Sequence, residues 1–361
     1  MTTNTAVVVH LEDADGAIGF GYAPTFNFGT AALRSFLAED FAPSLVDVEL
    51  KTTQEAIATM RRVAAIAGRL SGTARLAMGV LEMALLDVEA KLVGLPLHRL
   101  WGKPATSMRA YASGGWRHLD REELVAFVVG AIDRGFEAVK LQVGLSPDED
   151  AARLRAVREA VGPEFGLMLD ANQQLPPADV ERWIDVLAPF DPVWLEEPVA
   201  AEDHGLLVRL KDSAPFAIAA GESETEDQLL RELLERLALD VIQPDAYRVG
   251  LTATREVCDR ARLQGVTAAP HMAHEVSAQV VSGQSDGWLE YFDWFDDWWE
   301  EPVVPVDGRI TPSSLPGHGL RLKQGWLEEH MSSSAVTISG PTGDGLVRAE
   351  DGLQREYTRG A

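Results

Sequence analysis

Eight short apolar runs recur between about residue 107 and residue 293, and amphipathic stretches separate most of them. In order, the runs read MRAYAS, AVKLQV, FGLMLDAN, VWLEEP, FAIAAGES, DVIQPDA, VTAAPHM and WLEYFD. Buried parallel strands are near-continuous apolar runs, whereas amphipathic helices carry apolar side chains at a helical period. Strand then helix, repeated eight times, is typical of a (β/α)8 barrel. The sequence therefore predicts an α/β fold whose functional residues lie at the carboxyl ends of the barrel strands.

The chain on either side of this repeat follows a different pattern. Residues 5–10 and 17–23 read as two strands joined by a turn, and helical patterns follow at 30–39, 53–67 and 73–93. We expect a Ser or Thr to cap the last of these helices. The predicted parts are an α+β capping domain over 1–105, the barrel over 106–302, and a Pro/Gly-rich segment over 303–361 that returns to the cap, with a tail that carries a short strand pair or is partly mobile.

The composition excludes several classes of partner and location. The formal charge is -24, from 56 acidic against 32 basic residues, and this excludes nucleic acid or an anionic membrane as the main partner. Apolar residues make up 46% of the chain, enough for a sizeable core. The sequence has one cysteine, Cys258, and it has neither an 18-residue apolar run nor a signal-peptide pattern at its start. We therefore expect a soluble cytoplasmic protein.

Polar side chains follow the apolar runs at regular intervals. Successive groups stand 19 to 30 residues apart, which is close to one strand–helix unit, since eight units fill about 250 residues. Because the carboxyl ends of the strands meet at one mouth of the barrel, we expect these side chains to face each other. They are Lys140 and Gln142, Asp170 and Asn172, Glu196 and Glu197, Glu222, Asp245, His271, and Glu290.

Three consecutive strands would present Asp170, Glu196 and Glu222 at this mouth. Crowded carboxylates repel one another and raise each other's pKa, and a divalent cation relieves that repulsion. Oxygen ligands suit a hard ion, and open positions for water and substrate suit Mg2+. Any one of these acids alone could be a solvated loop residue or a helix N-cap. Their register on adjacent strands favours a metal site.

Asp245 and His271 come from the next two strands. A carboxylate beside an imidazole fixes its tautomer and keeps it basic, as a general base requires. The alternative is that His271 is a core histidine with its hydrogen bonds satisfied. Glu290, on the following strand, is a candidate to bind a substrate oxygen.

Taken together, these segments resemble the enolase superfamily, in its mandelate racemase subgroup, from the first strand of the cap to about residue 322. The matching segments are MALLDVEAKLVGLPLHRLWG, AVKLQVG, LMLDANQ, WLEEPV, AAGES, QPDAYRVGLT, APHMAHEVS and LEYFD. The resemblance implies an α+β cap over a modified TIM barrel, (β/α)7β, whose eighth strand lacks a full helix. It also implies a homo-oligomer that acts on a small carboxylate substrate.

The resemblance further implies how the polar residues divide the chemistry. Mg2+ would be held by Asp170, Glu196 and Glu222. The metal would bind a substrate carboxylate, a base would remove the proton α to it, and an enediolate would result. The remaining implied roles are a general acid/base dyad, His271 with Asp245, and a substrate contact near the enolate or carboxylate, Glu290.

The second barrel strand departs from the family pattern. The family usually carries Lys-x-Lys here, and Lys140 matches the first lysine while Gln142 replaces the second. Glutamine cannot accept a proton at neutral pH, so His271 remains as the one good base. One base suits β-elimination, which turns a polyhydroxy acid into a 2-keto-3-deoxy acid. Lys140 would give electrostatic help, or act as an acid/base if its pKa were depressed.

Other functions of the same architecture stay open. One is a one-base cycloisomerisation or lactone isomerisation, and another is an epimerisation that uses Lys140. A barrel that has lost its chemistry and only binds is the non-enzymatic alternative. Substrate selection is expected from the cap loop 22–30 and from four residues at the mouth, with Arg117 either pairing with a second carboxylate or lying free in an exposed loop. The four are Trp116, Arg117, Gln142 and Asn172.

Overall fold

The computed structural model describes residues 3–46, 48–49, 52–284, 286–331, 336–339, 346–350 and 355–356. Its N-terminal part is a sheet with helices packed on one side. The elements are β1 (Thr3–Asn4), β2 (Ala6–Glu12), β3 (Ile18–Pro24), α1 (Thr30–Ser35), a π-helix (Phe36–Phe41), α2 (Ala42–Leu45), α3 (Thr53–Ile66), α4 (Thr73–Leu92) and α5 (Leu97–Leu100).

Helix α4 lies directly on strand β3 and is buried along most of its length. Gly19 and Gly21 make this close approach possible, because a Cβ at either position would collide with the α4 backbone at Ala84 or Val80. The expected Ser or Thr cap of α4 is wrong. Its N-cap is Gly72, whose backbone φ of 60° is one that residues other than glycine rarely adopt. No side chain caps the helix.

The helix predicted over 30–39 continues to Leu45 as three connected pieces. Pro43 lies in the first turn of α2 and has no N–H, so it cannot donate to the carbonyl of Glu39. The wider turn of the π-helix directly precedes this missing hydrogen bond. The sequence pattern located the helical segment but not the change in its winding.

The barrel strands alternate with helices as the sequence pattern predicts. The elements are β4 (Met108–Gly115), α6 (Arg121–Asp133), β5 (Ala138–Gln142), α7 (Pro147–Val161), β6 (Gly166–Asp170), α8 (Val180–Leu187) with a 3-10 turn (Ala188–Phe190), β7 (Trp194–Glu196), α9 (His204–Ser213), β8 (Ala217–Ala220), α10 (Asp227–Glu235), β9 (Val241–Ile242), α11 (Ala246–Val249), α12 (Leu251–Leu263), β10 (Thr267–Ala268), α13 (His274–Val281), β11 (Trp288–Tyr291) and a 3-10 turn (Asp296–Trp298).

The eight strands β4 to β11 are parallel and follow the order β10-β9-β8-β7-β6-β5-β4-β11. The ring is nearly closed, since no ladder joins β10 to β11 among the residues that the structure describes. A 3-10 turn follows β11 where a full helix would complete the repeat. The expected (β/α)7β barrel is therefore confirmed. Part of its interior is filled by a buried cluster that includes Tyr111, Met168, Trp194, Val241 and Trp288.

The chain after the barrel returns to the cap. The remaining elements are β12 (Arg309–Ile310), α14 (Trp326–His330), β13 (Val336–Ser339), β14 (Leu346–Glu350) and β15 (Arg355–Glu356). Strand β12 pairs antiparallel with β4, and β14 pairs with β2, which gives a four-stranded cap sheet in the order β13-β14-β2-β3. His318 bonds to Asp87 and to the carbonyl of Phe20. The tail positions 332–335, 340–345, 351–354 and 357–361 lie outside the described residues.

Within the described part of the chain, none of the helices combines the length and the apolar character needed to cross a bilayer.

Candidate active site

The carboxyl ends of β5, β6 and β7 present polar side chains at one level. The register pairs Gln142 with Asp170 and Asp170 with Glu196, and Glu222 follows β8 by two residues. The structure thus brings together the strand-end residues that the spacing singled out. They are Lys140, Gln142, Asp170, Asn172, Glu196, Glu222, Asp245, His271 and Glu290.

The carboxylates of Asp170, Glu196 and Glu222 are buried at this mouth. Burial raises the pKa of Asp170 to about 7, and the negative charge of Glu196 adds to that effect. Burial also raises the pKa of Glu222 well above its ordinary value, although His271 and Lys140 oppose it. For Asp170 and Glu222, the nearby positive charges therefore do not fully offset the cost of burying the carboxylate. Buried oxygen donors in this condition fit a hard divalent ion such as Mg2+.

The ammonium group of Lys140 lies among these carboxylates. Its Nζ is 2.8 Å from Glu196 Oε1, 2.6 Å from Glu290 Oε1 and 3.6 Å from Asp170 Oδ2. In this arrangement no set of three or more His, Cys, Asp or Glu side chains in the described residues converges on a point suited to a metal ion. A bound metal ion would therefore have to compete with Lys140 for Glu196 and Asp170.

Lys140 keeps its positive charge in this setting. Burial alone would lower the pKa of the ammonium group, but Glu196 and Glu290 outweigh burial and raise the pKa well above its ordinary value. The depressed pKa that an acid/base role would need is not found. The geometry supports the other expectation, that Lys140 provides a fixed charge for a carboxylate.

His271 and Asp245 form the expected pair. His271 Nδ1 lies 2.9 Å from Asp245 Oδ2, and His271 Nε2 faces Glu222 Oε2 at 3.1 Å. Asp245 is itself held by the backbone N–H of Tyr247 at 2.7 Å and by Arg248 Nε at 3.3 Å. These contacts hold the Asp245 carboxylate in place. The carboxylate in turn orients the His271 ring, so that Nε2 points toward the metal-binding candidate Glu222.

Glu290 lies near the same imidazole nitrogen, Nε2, that faces Glu222. Its Oε2 accepts a hydrogen bond from the Met272 N–H at 2.9 Å and is 3.8 Å from His271 Nε2. Burial alone would lower the pKa of His271. The charges of Glu222 and Glu290 outweigh burial, and the bond to Asp245 adds to them, so the pKa of His271 rises to about 9. The imidazole thus holds a proton at neutral pH until positive charge enters the carboxylate cluster.

Gln142 is part of a neutral network with Asn172. Gln142 Nε2 donates to Asn172 Oδ1 at 2.8 Å, and Gln142 Oε1 accepts from the Arg117 backbone N–H at 3.3 Å. Asn172 Nδ2 in turn donates to Asp170 Oδ2 at 2.8 Å. Both ends of the Gln142 amide therefore make hydrogen bonds, and the residue holds Asn172, which in turn bonds to the metal-binding candidate Asp170.

Trp116 belongs to an aromatic cluster at the rim of the mouth. Its ring stacks on Phe292 at 6.0 Å and on Trp294 at 5.9 Å between centroids. Phe26 of the cap loop 22–30 meets Trp294 edge-on at 5.8 Å. The expectation that this cap loop reaches the barrel mouth is supported by that contact.

Gln243 is a site residue that the sequence analysis did not single out. It is fully buried, and its Nε2 donates to Glu196 Oε2 at 2.8 Å, an oxygen that also receives the indole N–H of Trp194 at 3.3 Å. Gln243 stands two residues before Asp245, so both project from the same face of the chain. The sequence signal that could have located Gln243 is its polar side chain two positions before Asp245, at the end of an apolar run.

Comparison with known proteins places this geometry in a family. The family model described as mandelate racemase / muconate lactonizing enzyme, N-terminal domain matches residues 1–102, and that described as enolase C-terminal domain-like matches 123–326. L-talarate/galactarate dehydratase of Salmonella typhimurium is 32% identical over 90% of this chain and 82% of its own. A 3,6-anhydro-alpha-L-galactonate cycloisomerase of Streptomyces coelicolor is 30% identical over 88% of each.

Solved structures agree with these relatives. A racemase from Streptomyces coelicolor with bound magnesium superposes with a TM-score of 0.86 at 28% identity, covering 90% of this chain and 91% of that one. L-talarate dehydratase from Polaromonas sp. JS666, complexed with Mg and L-glucarate, superposes with a TM-score of 0.82 at 31% identity, covering 90% and 95%. Similar proteins with this fold therefore bind magnesium, and one binds an acid sugar.

Proposed function

The chain belongs to the enolase superfamily, in the mandelate racemase and muconate lactonizing enzyme family, and on this premise we propose that it is a magnesium-dependent dehydratase of polyhydroxy acids. The observation that carries the proposal is the asymmetry of the mouth. His271 provides a base on one face of the substrate. Gln142, on β5, provides only an amide that is already hydrogen-bonded and cannot accept a proton. Elimination needs one base, whereas two-base racemisation needs one on each face of the carbanion.

Asp170, Glu196 and Glu222 would hold the Mg2+ ion. When bound, the ion supplies Lewis-acid stabilisation of the negative charge that develops on the substrate carboxylate. Asn172 and Gln243 would support the ligand set, since they hold the carboxylates of Asp170 and Glu196 in place.

The side chains of this chain would carry out the proton transfers. His271 Nε2 receives the proton from the carbon α to the carboxylate, while Nδ1 keeps its bond to Asp245. The electrons of the broken C–H bond move toward the carboxylate, where Lys140, held by Glu290 at 2.6 Å, supplies positive charge. The β C–O bond then breaks, and the hydroxyl leaves as water with the proton that His271 returns. The remaining enol tautomerises to a 2-keto-3-deoxy acid.

A cycloisomerase is the second candidate. It also needs one base, and two curated relatives are cycloisomerases, including the D-galactarolactone cycloisomerase of Agrobacterium fabrum at 28% identity. An epimerase that uses Lys140 is less well supported, because the neighbouring carboxylates raise the pKa of that ammonium group and keep it protonated. A lapsed barrel is opposed by the intact pairing of His271 with Asp245.

Incubation with Mg2+ and a panel of aldonic and aldaric acids, followed by semicarbazide trapping of 2-keto products, tests the dehydratase. We expect a trapped product from at least one acid, with one deuterium at C3 when the reaction runs in D2O. His271→Asn should remove that product and leave Mg2+ binding intact. A folded, magnesium-loaded protein that yields no keto product from any acid would refute the proposal.

We further propose that the protein is a cytoplasmic homo-oligomer that acts on a small carboxylate. Self-association is supported by apolar side chains left open to solvent at the end of α4 and just beyond it, at Leu92, Val93 and Leu95. Light scattering of the purified protein would give its mass. A monomer at micromolar concentration would contradict the oligomer.

A further inference from the structure

Arg117 stands at the mouth on the loop that follows β4, and that loop is rigidly held. Arg153, which is 3% exposed, donates from Nη2 to the Trp116 carbonyl and from Nη1 to the Gln142 carbonyl, each at 2.9 Å. Its guanidinium thereby joins the loop to strand β5. The Arg117 backbone N–H adds a bond to Gln142 Oε1 at 3.3 Å. The position of Arg117 is therefore fixed by the fold.

The guanidinium of Arg117 has a neutral partner. Its Nη2 donates to Asn172 Oδ1 at 2.7 Å, and no carboxylate of the described residues comes within 4.0 Å of it. The other cations near the mouth are paired with acids: Lys140 with Glu196 and Glu290, Arg153 with Asp150 at 3.5 Å, and Arg248 with Asp245 at 3.3 Å. In a chain of formal charge -24, a half-buried arginine without an acid partner is unusual.

Arg117 lies close to the metal-binding candidate Asp170, with Asn172 between them. Asn172 bonds to Arg117 through Oδ1 and to Asp170 through Nδ2, so two hydrogen bonds span from the guanidinium to that carboxylate. Lys140 and Gln142 project from the same face of β5, about 7 Å apart along the strand. A substrate whose reacting carboxylate lies by Lys140 and Asp170 would extend past Gln142 toward Arg117.

We propose that Arg117 binds a second carboxylate, at the far end of the substrate, and that the enzyme selects polyhydroxy dicarboxylic acids over monocarboxylic ones. This inference rests on the proposed function, because it assumes that the reacting carboxylate lies at the metal end of the mouth. Arginine suits the role, since its planar guanidinium makes charge-assisted, directional hydrogen bonds to carboxylates and stays protonated at every working pH. The bond to Asn172 leaves its other N–H groups for the ligand.

The test compares a six-carbon diacid with the monoacid of the same configuration, galactarate with galactonate, as the ratio of their kcat/KM values. Arg117→Gln keeps a hydrogen-bonding group but removes the charge, and we expect the diacid-to-monoacid ratio to fall about 10- to 100-fold, the size of a lost charge-assisted hydrogen bond. Arg117→Lys should recover part of that ratio. Arg121→Gln is the matched control, because Arg121 is an exposed arginine near the same loop that pairs with Glu149, and it should leave the ratio as in the wild type.

Calorimetry separates this inference from the proposed dehydration. The Mg2+-loaded wild type should bind galactarate more tightly than galactonate, and Arg117→Gln should remove that preference even if neither acid is converted. Dehydration by the wild type with an unchanged ratio in Arg117→Gln, or equal binding of the two acids by wild type and variant, overturns the role of Arg117. Absence of turnover together with an Arg117-dependent binding preference would overturn the dehydratase alone.

Discussion

At the scale of single residues, Gln142 determines whether a base lies on the face of the substrate opposite His271. Replacing it with lysine, Gln142→Lys, puts an ammonium group two residues from Lys140 on the same face of β5, and the like charge should lower its pKa toward that of a usable base. We expect the variant to gain exchange of the substrate α-proton with inversion, measured by NMR in D2O. Gln142→Met removes the amide without adding a base and is the control. A folded Gln142→Lys protein without exchange would show that position 142 does not face the substrate.

His271 gives a prediction about pH in the metal-free protein. Its folded pKa of about 9 exceeds the unfolded value of about 6.5, so the charged imidazole stabilises the fold. That contribution, on the order of 3 kcal/mol, is fully present below about pH 6.5 and disappears as the pH rises through about 9. Urea unfolding of wild type and His271→Gln at several pH values measures it. The gap in unfolding free energy should narrow over this window, and a constant gap would contradict the raised pKa.

At the scale of elements, a buried polar contact joins the cap to the barrel. The Tyr22 hydroxyl on β3 donates to Glu275 Oε1 on α13, and Tyr247 donates to the Tyr22 hydroxyl at 3.0 Å. Tyr22→Phe removes one of the two hydroxyls that donate to Glu275 Oε1, the other being that of Tyr247 at 3.3 Å. We expect a loss of about 1–3 kcal/mol in unfolding free energy. Urea titration measures this loss.

Tyr111→Phe is the matched control for that substitution. Tyr111 is also fully buried, but its hydroxyl has no hydrogen-bond partner among the described residues. Removing this hydroxyl should be neutral or slightly stabilising, since no bond is lost. Equal destabilisation by the two substitutions would mean that loss of volume, and not the contact with Glu275, accounts for the effect.

The elements also show how far sequence reasoning reaches. Every barrel strand could be predicted, because each is a local apolar run with a polar residue within it or shortly after it, as Asp170 ends β6 and Glu222 follows β8. The cap of α4 was predicted wrongly, because Gly72 enters the helix through a backbone conformation that no local pattern announces. The contact of Arg117 with Asn172 joins residues 55 positions apart, and it depends on side-chain directions that only the folded barrel fixes.

At the scale of the whole molecule, buried acids cluster at the mouth of the barrel. Five of them lie within 4 Å of a positive group, Lys140, His271 or Arg248, among the described residues. These acids are Asp170, Glu196, Glu222, Asp245 and Glu290. Close packing of like charges destabilises a fold unless a cation offsets it. Metal binding at the mouth should therefore be coupled to the stability of the entire barrel, and Asp170 allows the coupling to be measured.

Asp170→Asn should have opposite effects with and without metal. The raised pKa of Asp170, about 7, means that its charged form opposes folding above that pH, so at pH 8 without metal the variant should be the more stable protein. Mg2+ at 100 times its Kd should stabilise the wild type by about 2.7 kcal/mol and the variant by far less. Calorimetric unfolding at pH 8 with Mg2+ or with EDTA measures both effects. Asp212→Asn, an exposed change, should keep the full response to Mg2+, and an equally large response in Asp170→Asn would remove Asp170 from the metal site.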